Sequence, residues 1–183
     1  ARYGVVLGPL DAVLNADVHT TDGYVLQTLP GGTRKVGSEL ENFSAKAAYD
    51  VTDALRLRGL VRYTNTHAET NSSSFGRGQV DTFGSYSDAT SLFWFAGADL
   101  KLLDGAWTHS ASIQGIDAER NGYSANRRSS GNEGVRTKAS YATTYTLTTG
   151  DLVHSLTGAV DWEKETYQNT SPPIAGADTT RRS

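Results

Sequence analysis

The chain has 183 residues, 37% of them hydrophobic, and a formal net charge of -3. Its 17 Lys and Arg are dispersed among 20 Asp and Glu, which excludes the clustered basic footprint of a nucleic-acid binder. It has no Cys, so disulfides, thiolate metal sites and cysteine nucleophiles are excluded, and no apolar run approaches the roughly 18 residues of a membrane-spanning helix.

A transmembrane β-barrel carries no such requirement, because only alternate residues of each strand meet lipid. Read in chain order, alternation is what this sequence shows. Ala1-Arg2-Tyr3-Gly4 reads as strand and Gly8-Pro9 as a tight turn. Leu10, Ala12, Leu14, Ala16 and Val18 are then apolar, with Asp11, Asn15, Asp17 and His19 between them. That is period two, a strand with one dry and one wet face.

After a polar segment over residues 20–39, Phe43, Ala45, Ala47, Tyr49 and Val51 alternate with Asn42, Ser44, Lys46 and Asp50. A turn at Thr52-Asp53-Ala54 leads into Leu55, Leu57, Gly59, Val61 and Tyr63, alternating with Arg56, Arg58 and Arg62. A second polar segment, 70–89, precedes Leu92, Trp94, Ala96, Ala98 and Leu100, where Phe93 and Phe95 spoil the contrast. Leu103-Asp104-Gly105-Ala106 turns the chain into Trp107, Ala111, Ile113 and Gly115. Past a third polar segment, 118–134, come Ala139, Tyr141, Tyr145 and Leu147, then a turn at Thr148-Thr149-Gly150-Asp151. Leu156, Gly158, Val160 and Trp162 form the last dry face, and a fourth polar segment begins near Gln168.

Tight turns thus recur about 44, 51 and 46 residues apart, with roughly twenty-residue polar segments between them. Short turns at one end and long loops at the other distinguish outer-membrane barrels from soluble sandwiches. The expected fold is therefore all-β: an antiparallel up-and-down meander of about eight long strands, a segment of a transmembrane β-barrel over residues 1–183. Both ends read as cuts within a longer protein, with neither a plug domain nor the barrel C-terminus in the chain.

Opposed residues on antiparallel strands share a face, which restricts the register. A three-residue turn in the second hairpin sets Asp50 opposite Arg56 and Phe43 opposite Tyr63. In the third hairpin Trp94 falls opposite Gly115. A four-residue turn in the last sets Leu147 opposite Leu152, Lys138 opposite Asp161, Arg136 opposite Glu163 and Tyr141 opposite Gly158. Tyr49, Tyr63, Trp94, Trp107, Tyr145 and Trp162 all fall on dry faces, as in the aromatic girdles of a membrane barrel.

Signs of bond chemistry are missing. His19, His67, His109 and His154 are scattered, with no close pair to begin a zinc site. No G-x-S-x-G elbow or Walker loop occurs, and Gly76-Arg77-Gly78 begins a dinucleotide pattern without completing it. Asp117 and Glu119 are of a type that could meet calcium, but a solvated loop edge is the simpler reading of them. No metal, cofactor or catalytic residue is expected, and the chain does not read as an enzyme.

Gly8-Pro9-Leu10 running into a long alternating strand resembles the barrel of TonB-dependent receptors. So do Tyr49-Asp50-Val51-Thr52-Asp53-Ala54-Leu55-Arg56-Leu57 and Gly97-Ala98-Asp99-Leu100-Lys101 followed by Trp107-Thr108-His109-Ser110-Ala111. Asp117-Ala118-Glu119-Arg120-Asn121-Gly122-Tyr123 is similar too, and the text looks closest to the cobalamin and siderophore receptors. The resemblance implies a place in the bacterial outer membrane, in contact with its lipid. It implies a 22-stranded barrel closed by a plug, with TonB acting through that plug, and uptake of a scarce nutrient such as a metal chelate or cobalamin. Outer-loop aromatics and cations would then contact the nutrient: Tyr24, Arg34, Phe75, Arg77, Phe83, Tyr86, Arg120, Tyr123 and Tyr167. A passive porin or small structural barrel is the alternative, and a soluble secreted carbohydrate-binding β-protein is a third reading.

Overall fold

The computed structural model describes residues 1–26, 32–76 and 78–172. Its strands are β1 (Arg2–Leu7), β2 (Leu10–Val25), β3 (Lys35–Asp50), β4 (Leu55–Glu69), β5 (Ser72–Ser74), β6 (Gly78–Val80), β7 (Tyr86–Leu102), β8 (Trp107–Ser124), β9 (Arg127–Thr149) and β10 (Leu152–Asn169). Eight of them form one sheet in the order β1-β2-β3-β4-β7-β8-β9-β10, every neighbouring pair antiparallel. The short β5 and β6 pair only with each other. The expected all-β up-and-down meander is observed, as a single open layer.

Period-two sequence explains the strands, and the turn residues explain where they reverse. Leu7 pairs with Leu10 around Gly8-Pro9, and Gly8 has φ 56°. A glycine with positive φ ahead of a residue with φ near -65° suits a type II′ hairpin turn. Between β3 and β4, the Thr52 hydroxyl accepts the amides of Ala54 and Leu55 at 3.2 and 3.0 Å. Between β7 and β8, Leu103, Asp104 and Gly105 all take positive φ in a tight left-handed turn, closed by the Ala106 N–H donating to the Leu103 carbonyl at 3.0 Å.

The polar segments depart from expectation. They are largely strand: β2 continues to Val25 and β3 starts at Lys35, while β8 and β9 run to a two-residue turn at Ala125-Asn126. Both turn residues have positive φ, 50° and 59°, as a type I′ turn requires. Alternation reports a strand only while one face is dry. Where both faces are wet, backbone pairing continues without a hydropathy signal.

The registers of the second and third hairpins are as expected: Asp50 pairs with Arg56, Phe43 with Tyr63, and Trp94 with Gly115. The last hairpin is shifted by two residues. Thr149 pairs with Leu152 around a two-residue turn, which places Leu147 opposite His154, Lys138 opposite Glu163, Arg136 opposite Glu165 and Tyr141 opposite Val160. Gly150 supplies the positive φ, 59°, that makes the shorter turn possible. A two-residue shift keeps each side chain on its face. The ion pairs expected from the wrong register therefore still form as diagonals, Arg136 to Glu163 at 2.8 Å and Lys138 to Asp161 at 3.2 Å.

Among the described residues, Ala48 is the one buried apolar side chain. One layer has no partner layer against which to bury a face.

Candidate functional site

Following the paired residues across the sheet separates its two faces. One face carries Leu10, Ala12, Leu14, Ala16 and Val18 on β2, Phe43 to Tyr49 at odd positions on β3, and Leu55 to Tyr63 at odd positions on β4. It continues through Leu92, Trp94, Ala96, Ala98, Leu100 and Leu102 on β7 to Trp107, Ala111 and Ile113 on β8. Ala139, Tyr141, Tyr145 and Leu147 on β9, and Leu156, Val160 and Trp162 on β10, complete it. The apolar stretch on β2, β4 and β7 runs for about 9 to 11 residues from the turn end and then stops, a transmembrane strand's length. Beyond it the same face bears Glu39, Glu41, Asn65, His67, Asp88, Asp117 and Glu119.

Near the turn end of this face the polar tips of aromatics are occupied. Trp107 Nε1–H donates to the Thr143 hydroxyl at 2.8 Å, and His109 Nδ1 lies 2.7 Å from the Tyr141 hydroxyl. His109 also packs on Trp107, with ring centroids 4.5 Å apart. Trp94 lies across Gly115, where an added Cβ would come within 2.5 Å of the indole. A shallow depression of about 590 Å³ over Ala96, Ala98, Ala111, Ile113, Val160 and Trp162 offers almost no polar group to orient a ligand.

The opposite face is polar and laced with ion pairs. Arg58 meets Asp99 at 2.6 Å, Asp99 also accepts from the Ser110 hydroxyl at 2.8 Å, and Arg56 meets Asp50 at 3.2 Å. Small and hydroxyl residues such as Ser44, Ser112, Ser140 and Thr144 fill the spaces between them.

At the end away from the short turns, the connecting segments are tied to one another. Arg34 donates to the Thr70 carbonyl at 2.6 Å, to Asn71 Oδ1 at 2.7 Å and to the Ser85 carbonyl at 3.3 Å, and lies 3.5 Å from Glu69. Its side chain is only 8% exposed. Asp81 Oδ2 accepts the amides of Thr33 and Arg34 at 3.0 and 3.1 Å. These amides, then Asn71 and the Arg34 charge, hold the Asp81 carboxyl below the ordinary carboxylate range. Asn126 N–H donates to the Gly84 carbonyl at 2.9 Å, joining the β8–β9 turn to the same assembly.

The residues expected to contact a ligand are distributed rather than convergent. Tyr86 and Tyr123 stack, with centroids 4.4 Å apart and planes 14° off parallel, and Tyr86 lies 5.0 Å from the His67 ring. Phe83 is reached by the Arg34 guanidinium at 5.8 Å and is otherwise exposed, and Phe75 is fully exposed. Arg120 Nε donates to Ser87, and Tyr167 stands exposed on β10. Tyr24 follows a bulge in which Asp22 and Gly23 oppose Gly37, so it shares the side of Val36 on the polar face. Arg77 lies outside the described residues. Sequence reading did not single out Asp81 or the His67–Asp88 pair, 2.6 Å apart, because each depends on contacts between distant segments. Among the described residues no cluster of His, Asp and Glu is suited to a metal. In comparisons with family models, curated proteins and solved structures, the chain matches none.

Proposed function

We propose that this chain is a section of the wall of a bacterial outer-membrane β-barrel, with its apolar face to lipid and its polar face to the lumen. One observation carries the reading: a predominantly apolar face shared by all eight strands, with Tyr3, Val5 and Leu7 as its β1 edge, that gives way to charged residues away from the short turns. In water such a face would be a severe aggregation liability. In a bilayer it is the lipid contact, about 25 Å tall and flanked by aromatics.

The stagger of the hairpins supports the same setting. The row of paired residues from Leu10 passes through Tyr49, Leu57, Ala98, Ala111 and Tyr141 to Val160. Leu10 opens β2, but Val160 lies eight residues beyond Leu152, which opens β10. Six strand-to-strand steps thus accumulate about 1.3 residues each, and a rise near 3.3 Å with a spacing near 4.8 Å then leans the strands about 40° when the turns are level. Membrane barrels tilt by about 35–45°. Tyr49 and Trp107 then sit beside the turns, while Phe43, Tyr63, Trp94 and Trp162 sit about seven to ten residues further along, at the heights of two girdles.

The barrel is read as that of a TonB-dependent receptor taking up a scarce nutrient, a metal chelate or cobalamin. Support for this finer reading is the resemblance of the hairpin sequences. The tied outer segments, carrying Phe75, Phe83 and the Tyr86–Tyr123 stack, are the capture surface. The wall performs no bond chemistry.

The test is tryptophan fluorescence of the full-length protein in bilayers of brominated lipid. Quenching of Trp94, Trp107 and Trp162 is expected, and emission unchanged from that in unbrominated lipid would overturn the membrane reading.

A further inference from the structure

Phe93 and Phe95 break the alternation of β7, and both stand on the polar face. Phe95 pairs with Leu60 on β4, and Phe93 pairs with Ile116 on β8. Leu60, Phe93, Phe95 and Ile116 are therefore contiguous over three strands, amid charged, hydroxyl and small residues. Phe95 lies back over its own strand: a Cβ on Gly97 would come within 2.8 Å of the ring. The Arg58 guanidinium, held by Asp99, covers the ring at 5.5 Å. A built apolar island on a wet wall is an unusual use of two phenylalanines.

The cations around it differ in their pairing. Arg56, Arg58, Arg136 and Lys138 each have a carboxylate. Arg62, directly across from Phe93, and Lys46, directly across from Leu60, form no ion pair among the described residues. By register the nearest acid to Lys46 is Asp11, diagonally across β2 and β3, and it does not bridge to it. Arg62 faces Ser44 on β3.

We propose that this patch binds an amphiphilic organic anion, its ring-sized apolar body on Leu60, Phe93 and Ile116 beside the Arg58-covered Phe95 ring, and its carboxylate on Arg62 and Lys46. Size decides between a solute and a protein partner. The island spans two strand spacings by one two-residue repeat, about 10 by 7 Å. That accommodates one fused ring system and falls far short of the roughly 800 Å² that each partner of a stable protein interface buries. That the anion is cargo of a conduit rests on the barrel reading above, whereas the binding itself does not.

The test uses the full-length protein in detergent and 2-naphthoate as the probe, followed by isothermal titration, with acetate and 2-naphthylmethylammonium as comparisons. Saturable binding of 2-naphthoate alone is expected. Charge-assisted hydrogen bonds of ordinary strength predict a loss of about tenfold or more in Lys46→Gln/Arg62→Gln, and burial of the ring predicts a similar loss in Phe93→Ala. The proposal is overturned if 2-naphthoate shows no saturable binding, including because another part of the polypeptide covers the patch. Equal affinity for the ammonium probe, or binding that both variants leave unchanged, overturns it as well. The probe comparison needs no variant to fold. Naphthoate binding without lipid quenching of the tryptophans would sink the barrel and spare the patch, and the reverse outcome would do the opposite.

Discussion

Gly115 shows what a single residue does in this sheet. It faces Trp94, and the indole occupies the space where a Cβ would stand. Gly115→Val must push the ring off the strand, and overpacking of this kind costs about 1–3 kcal/mol. A lower midpoint in urea unfolding of the full-length protein, with Ser112→Val nearly neutral, is the expected result. Asp81 is a second single-residue device, outside the apolar band. Its pKa is lowered below 3.8 by the amides of Thr33 and Arg34, so it stabilises the clasped connecting segments above the ordinary carboxylate range. That contribution is lost as pH falls through the lowered value. Pepsin cleavage of these connecting segments should accelerate below about pH 4, the ordinary carboxylate range, and Asp81→Asn should cleave readily with a flatter pH response. A wild-type profile identical to that of the variant would remove Asp81 from this role.

Among the elements, the β8–β9 hairpin extends furthest beyond what hydropathy reveals. Its turn holds Ala125 at φ 50°, a conformation that an alanine side chain adopts at a cost. Ala125→Gly should stabilise the hairpin by about 1 kcal/mol, relief of the positive-φ strain outweighing the added chain entropy, read as slower amide exchange in the flanking residues. Unchanged exchange would mean that the turn is not type I′ in solution. The final hairpin teaches a different lesson. Charge pairing points to its contacts correctly but to too long a turn, because an ion pair is satisfied equally by direct and diagonal neighbours. Backbone demands at Gly150 decided the turn, and charge did not.

For the whole molecule, the proposed setting makes the two faces unequal in their tolerance of charge. Ile113→Arg, near the middle of the apolar band, should cost about 2–4 kcal/mol in bilayer-embedded protein, whereas Ser112→Arg on the other face should cost little. Folding titrations into lipid vesicles would measure both, and equal costs would contradict a one-sided lipid contact. No native cysteine occurs in the chain. Single cysteines placed in turn at Leu57, Val61 and Val160 should therefore react only with membrane-permeant reagents, and cysteines placed at Arg62 and Gln114 with water-soluble ones.

Strand identity, face assignment and two of three tested registers were legible because one dry face imposes period two, and a slip by one residue would invert every side chain. The fold class and the positions of the turns at Gly8-Pro9, 52–54, 103–106 and 148–151 follow from that pattern together with Gly, Pro, Asp and Thr at the reversals, whereas the turn at Ala125-Asn126 does not. Tertiary structure alone decided the rest. Strands continue through the polar segments, where both faces are wet and only backbone pairing marks them. The clasp of Arg34 and Asp81 joins residues 47 and more positions apart, which no local pattern encodes. Phe93 and Phe95 read in sequence as a flaw in the alternation. Their meaning appeared only when strand pairing set them beside Leu60 and Ile116, because contiguity across a sheet is a property of register and not of the order of residues.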